Sequence, residues 1–518
     1  MRSVRMRILA TLLVLAGVGV GGWQLLPSQQ DENRTITVGT TDAVTSLDPA
    51  GAYDAGSWAL FNNVFQSLLT FEPGGVAPVP DAARSCAFAG TDLKTYRCEL
   101  REGLTFPSGR AMTAQDVKYS FDRVKRIKSD VGPFSLLDTL ASVSASGRTV
   151  TFRLSSPDAT FPLKVATGAG AIVDREMYPA DALRKDNAVD GTGPYTLTSY
   201  TKEKDAVLAP NAQYKGAVKG TGRPVELRYY GDADALESAW KAKRIDVATR
   251  TLPPEVLAGL NAADPGQRVS EADSSEIRNL YLNTRKGSPL HDVRVRQAMA
   301  WLIDRERLAA TVYKGTVDPL FSLIPTGITG HTTSFFDTYP ELSTAKARAL
   351  LTEAGVSLPV RFTYGYGAGR GAGAGEATEI KRQLEATGLF KVTVKDYEWT
   401  DFQKRWASGK LDAYAVGWVA DFPDPDTYGG PLVGTKGTMN TGYSDKTVDQ
   451  LITASQQYAD RSEATKDFRL LQEAVARDVP VIPLWQAKEY VVADEAVGGG
   501  QYLSDGTGVF RLWRLTWI

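Results

Sequence analysis

An α/β fold with more than one core is predicted for this chain, and three observations predict it. A length of 518 residues exceeds what one hydrophobic core organises. Strand-like and helix-like patterns alternate from residue 35 onward, the arrangement that builds α/β lobes. Hydrophobic residues make up 43% and charged residues 23%, the balance of a folded soluble protein rather than a disordered one. Lysine plus arginine (59) nearly cancels aspartate plus glutamate (60), so no basic field is available to hold a nucleic-acid backbone. Nucleic acid is therefore not an expected partner.

The first element is a leader. Arg2, Arg5 and Arg7 precede an apolar run from Ile8 to about Leu26, followed by the polar SQQDENR. Residues 1–33 read as an export signal or an uncleaved membrane anchor, and both place the rest of the chain outside the cytoplasm. No cysteine follows the run, which excludes a lipoprotein anchor, and no small-x-small cleavage site is evident.

TITVGT, Thr35 to Thr40, alternates as a strand does; Leu47, Asp48 and Pro49 then turn the chain into a helix carrying Trp58, Leu60, Phe61, Val64, Phe65 and Leu68. Cys86 and Cys98 sit in two short strands around a turn near Gly90 to Leu93, which sets them opposite each other. A hairpin disulfide is expected in an oxidising compartment. A zinc site is disfavoured, because two cysteines without a nearby histidine cannot complete a tetrahedron.

Leu100 to Val124, LREGLTFPSGRAMTAQDVKYSFDRV, joins a strand end and a Gly103/Gly109 turn to a helix. Thr113 followed by Asp116 forms a capping box with Asp in place of Glu, and Val117, Phe121 and Val124 share one helical face. With a strand pair at Val143 to Leu154, residues 76–186 read as an inserted unit, after which GTGPY, Gly191 to Tyr195, feeds another strand. Arg278 to Ala309 then holds an apolar strand around Leu280 to Leu282, a Gly/Pro loop and a helix with Val295, Met299, Leu302 and Ile303 inward.

Two apparent catalytic motifs fail. Ser343 and Lys346 read SxxK, but the SDN and KTG companions are missing and Ser343 sits where a helix starts, so N-capping explains it. The glycines between Gly365 and Gly375 match no phosphate-loop register and read as a flexible surface loop that could touch a ligand from a lobe edge. His291 and His331 lie in loops without HExxH, GxSxG or a cysteine nucleophile.

The third landmark, LDAYAVGWVADFPDPDTY, runs from Leu411 to Tyr428. A strand ends at Gly417 and Trp418 and turns through Asp421, Phe422, Pro423, Asp424 and Pro425. A carboxylate on a strand end, flanked by aromatics and stiffened by proline, suits capture of a cation in a partly dry cavity. Aspartates in such turns also cap their own backbone, the role expected of Asp424 and Asp426.

Taken together, these landmarks resemble the family 5 extracellular solute-binding proteins of ABC importers, the oligopeptide, dipeptide and nickel type. The resemblance rests on Leu100, Arg101, Gly103, Phe106, Gly109, Thr113, Asp116 and Arg123, on Asn283, Asp292, Arg294, Arg296, Gln297, Asp304 and Arg305, and on the GWxADxxDP pattern from Gly417 to Pro425. It extends from about residue 35 to 518. It implies two lobes joined by two chain crossings, near Glu276 to Leu282 and Pro483 to Tyr490. Lobe I would hold residues 34–75, 187–277 and 486–518, with 76–186 as its inserted subdomain; lobe II would hold 278–485.

By the same resemblance Asp421 faces the cleft and pairs with a peptide's α-ammonium, with Trp418 and Phe422 beside it. Tyr53, Trp58, Trp399 and Trp406 are candidate wall residues that fit a core or surface role as well; Tyr53 leads because its loop follows the LDPA turn. The implied function is capture of a peptide between the lobes and delivery to an ABC permease and its ATPase. A surface sensor or binding protein of the same fold, for an oligosaccharide, opine or nickel chelate, is the alternative, ranked ahead of an extracytoplasmic hydrolase. No catalytic residue, metal or cofactor is expected, and a monomer is.

Overall fold

The computed structural model describes residues 34–518 apart from 220–221, 370, 505–506 and 508. The expected signal or anchor, residues 1–33, lies outside the described residues. Among the described residues no helix is long and apolar enough to cross a membrane.

An eleven-stranded mixed sheet runs through the molecule. From one edge its order is Phe390–Tyr397, Val360–Gly367, Ala413–Trp418, Gln267–Leu282, Val481–Asp494, Val247–Thr249, Ile36–Thr40, Val225–Tyr229, Asp205–Pro210 and Tyr195–Thr201. Val317–Pro319 pairs with Val481–Asp494 off this path. Helices such as Ala233–Lys241 and Gly373–Glu385 cover the sheet.

Two long antiparallel strands hold the sheet together. Gln267–Leu282, far longer than the apolar triplet visible in the sequence, pairs with Val481–Asp494 over both halves of its length. Residues 267–273 pair with 494–488, and 277–281 with 486–481. Register shifts between Asp273 and Ile277 and between Arg278 and Asn279 separate the two stretches. Extra residues there interrupt the ladder and bend the pair.

Buried apolar side chains gather into two large clusters on either side of this interruption. One draws on residues 36–247 and 491–515, the other on 277–485, and a small third contains Leu236, Ile245 and Val492. The fold is therefore the two-lobed α/β arrangement expected. Phe422 breaks the partition: it sits in the chain of the second cluster yet is fully buried in the first.

Residues 83–154 build a separate four-stranded sheet, Ala83–Phe88, Thr95–Leu100, Thr149–Leu154 and Leu140–Ser146, backed by helix Ala114–Ile127. Cys86 and Cys98 are directly opposed in its first hairpin and form the expected disulfide. The capping box is present: Asp116 Oδ2 accepts from the Thr113 backbone N–H at 2.8 Å. The sheet's apolar face, with Tyr96, Val150 and Phe152, joins the first core instead of enclosing one of its own. Arg123, on the same helix, donates to both oxygens of buried Asp48 at 2.9 and 2.7 Å, fixing the turn that leads to Tyr53.

Candidate ligand cavity between the lobes

Strand Ala413–Trp418 ends at the gap between the two cores, and its continuation forms one wall of a cavity of about 280 Å3. Ala420 bridges to Thr507 of the C-terminal segment, and Phe422 inserts into the first core. These contacts pull Asp421 to the boundary. Its backbone N–H donates to Thr427 Oγ1 at 3.0 Å, and its Oδ2 accepts from the Thr427 hydroxyl at 3.1 Å and the Tyr53 hydroxyl at 2.6 Å. Among the described residues, Oδ1 accepts no hydrogen bond.

Asp421 is 6% exposed, and burial pushes its carboxyl up to about 7, against the hydrogen bonds from Tyr53 and Thr427 that act to lower it. Burial likewise lifts the Tyr53 phenol well above its ordinary value, and the neighbouring Asp421 charge adds to this. Tyr53 stacks on Trp58 at 5.1 Å and meets Trp418 edge-on at 5.8 Å. An oriented carboxylate with one open acceptor, walled by indole and phenol rings, is an arrangement that binds a cation strongly.

Helix Trp399–Ala407 supplies the facing wall, where Trp399 and Trp406 meet at 5.6 Å. All four aromatics singled out in the sequence, Tyr53, Trp58, Trp399 and Trp406, line the cavity, as does Trp418. Phe422 does not. It borders a second hollow of about 330 Å3, which shares Tyr53 and Thr438 with the first. The glycine loop after Val360–Gly367 puts Gly371 and Gly373 on the main wall. Gly369 is positioned by fit: at φ +71 only glycine is comfortable, and a Cβ there would lie 2.4 Å from the Gly231 carbonyl oxygen. The loop is thus a close lobe-to-lobe contact, not a free surface segment.

The far end of the cavity was not foreseen. Arg250, at φ +72, donates to Asp42 at 3.1 Å and approaches Glu489 at 4.0 Å. Arg278 is held by Glu376 at 3.0 Å, and Glu376 also accepts from Tyr313 and Trp485 at 2.7 and 2.9 Å. Glu276 lines the cavity beside this group. These hydrogen bonds join residues 63 to 208 positions apart, and no local motif marks them.

Asp424 fills the turn role expected of it, and Asp426 does not. Asp424 does accept from the Asp426 backbone at 2.9 Å, but it also pairs with Arg461 at 2.8 Å. Asp426 reaches across to the inserted sheet's side, to the Thr160 hydroxyl at 3.3 Å and the Lys164 ammonium at 3.9 Å. Its carboxyl is pushed up to about 6 by burial and by Asp158 and Asp424.

Residues 77–440 match the profile described as bacterial extracellular solute-binding proteins, family 5 Middle. The chain belongs to this family. Its members are solute-binding proteins, not enzymes, and work outside the cytoplasm. Among curated relatives, the probable D,D-dipeptide-binding periplasmic protein DdpA of Escherichia coli is 25% identical over 478 residues, 90% of each chain. Di/tripeptide-binding protein 2 of Pseudomonas aeruginosa is 26% identical over 494 residues, covering 88% of this chain and 90% of its own. The periplasmic binding protein DppA of Helicobacter pylori, solved in complex with peptide STSA, superposes with a TM-score of 0.84 at 22% identity over 94% of this chain and 99% of its own.

Proposed function

We propose that this binding protein captures peptides through their free α-ammonium and delivers them to the permease and ATPase of an ABC importer. The observation that carries the reading is Asp421: a buried carboxylate, oriented by two hydroxyls, with one oxygen left open toward an aromatic-walled cavity. The named relatives support the ligand class, since those described above are di- or tripeptide binders or hold a peptide. Trp418, Tyr53 and Trp399 would flank the ligand. Phe422, one residue on, would instead fix the turn by burying itself across the boundary. Residues 1–33 would export the chain or tether it beside its permease, and the protein would act as a monomer.

The test is thermal shift and calorimetry of residues 34–518 with di- to pentapeptides, their N-acetylated forms, oligosaccharides and nickel chelates. A ligand at a hundred times its dissociation constant stabilises the fold by about 2.7 kcal/mol, a readable shift. Free-amine peptides are expected to bind and their acetylated forms to fail. Binding confined to sugars or chelates would overturn the peptide reading.

A further inference from the structure

The charged groups on the cavity wall do not balance. Arg250 donates to Asp42 and approaches Glu489, with its Nη2 buried and making no hydrogen bond among the described residues, while Arg278 is held by Glu376 and Lys488 by Glu271 at 3.2 Å. Asp54 caps helix Ala55–Val64 through the Ser57 N–H at 2.8 Å. Two carboxylates remain, Asp421 and Glu276. Among the described residues, the Glu276 side chain makes no hydrogen bond and no ion pair, although it is withdrawn from water enough for its carboxyl to be raised. Arg250 lowers that carboxyl, while Glu489 and Asp42 raise it again.

Glu276 occupies the interruption of the central strand pair, where no ladder partner claims it. It lies over Gly417: a Cβ at that position would meet its Oε1 at 2.7 Å, so the missing side chain makes room for the carboxylate in the wall. Register pairs Ile277 with Trp418, the last pair of that ladder, so Glu276 and Asp421 leave the same end of it, one and three residues beyond the pair, and both line the cavity. A lysine at the first position carries both an α-ammonium and a second ammonium on a four-carbon stem, one for each carboxylate.

Resting on the peptide reading above, we infer that the cavity selects peptides whose first residue carries a basic side chain, with Glu276 receiving the second cation while Asp421 receives the first. Arg250 acts on Glu276 only through space, with no hydrogen bond or ion pair between them among the described residues, and a neutral side chain placed against the carboxylate leaves it unpaired. A lysine or ornithine ammonium would satisfy it.

The experiment is calorimetry with Lys-Ala and norleucyl-alanine, which differ at the side-chain end, and with the N-acetylated form of each, on the wild type and on Glu276→Gln. Lys-Ala is expected to bind the wild type about thirtyfold more tightly than norleucyl-alanine, and the ratio is expected to fall to near one in the variant. Because the ratio is internal to each preparation, a partly inactive variant does not blur it; were the variant not to fold, the wild-type ratio alone decides. A wild-type ratio near one, or one that survives in Glu276→Gln, overturns the assignment of Glu276. Tolerance of N-acetylation with the ratio intact would instead sink the Asp421 reading and leave Glu276 standing. No binding by any of these peptides overturns both.

Discussion

A carboxyl withdrawn from water gives up its proton late, and Asp421, raised to about 7, is half protonated near neutral pH while the cavity is empty. Burial is the main cause; Asp426 acts in the same sense, while the Tyr53 and Thr427 hydroxyls and Lys164 act against it. An α-ammonium needs the ionised form. Peptide affinity is therefore expected to fall about tenfold per pH unit below 7 and to level off above it. Calorimetry from pH 5 to 8 reads this directly, and a flat profile would exclude the ammonium pairing. Stability moves the opposite way. Between about pH 4 and 7 the folded chain holds a proton that the unfolded chain has released, so this group's contribution to stability declines as pH rises through that window. Asp421→Asn removes the buried charge, so the empty variant should melt above the wild type at pH 8 and close to it at pH 5. The same variant should lose on the order of 2 to 5 kcal/mol of peptide binding.

Elements show why part of the site was legible and part was not. GWVADFPDP could be read because its strand end, turn and carboxylate are contiguous. Likewise, Cys86 and Cys98 share one hairpin, and Thr113 and Asp116 one helix start. Glu276 and Arg250 were invisible for the converse reason. Glu276 lies in QRVSEADSSE, which has no apolar alternation, and Arg250 follows a strand of only three residues, Val247–Thr249; only pairing with Val481–Asp494 and Ala413–Trp418 brings them to the cavity. The glycine loop was legible as backbone freedom but not as a contact, since Gly231 lies far off in sequence. At this scale the hairpin disulfide makes its own expectation. Closing a loop with a sequence separation of 12 restricts the unfolded chain, and replacing Cys86 and Cys98 together by serine should lower stability by roughly 3 kcal/mol in the chain-entropy model. Denaturant unfolding of variant and wild type, the latter with and without reductant, checks it; equal midpoints would mean that the bridge restrains nothing.

The whole molecule is held closed by contacts that lie partly away from the ligand cavity. Tyr53 to Asp421 is one; the others are Ala159 N–H to the Gln456 carbonyl at 2.7 Å and Thr160 and Lys164 to Asp426. Lys164 is shared between Asp158 at 2.9 Å and Asp426 at 3.9 Å, and the second of these contacts crosses the boundary and exists only when the lobes meet. The interrupted register at residues 274–276 is where the two halves of the central pair can bend independently. Affinity then includes the free energy of closing, and a change that favours the open form weakens every ligand by the same factor. Asp426→Asn keeps the side chain's shape and drops its charge. It borders the second hollow, not the main cavity, so a loss of affinity shared by all peptides reports closure. A loss of about fivefold, shared by peptides of different side chains, is expected, and saturating peptide should return the radius of gyration in solution scattering to the wild-type bound value. Selective loss for one peptide class would place Asp426 in the ligand site. Unchanged affinity with an unchanged ligand-free radius would show that closure does not depend on this cross-lobe charge.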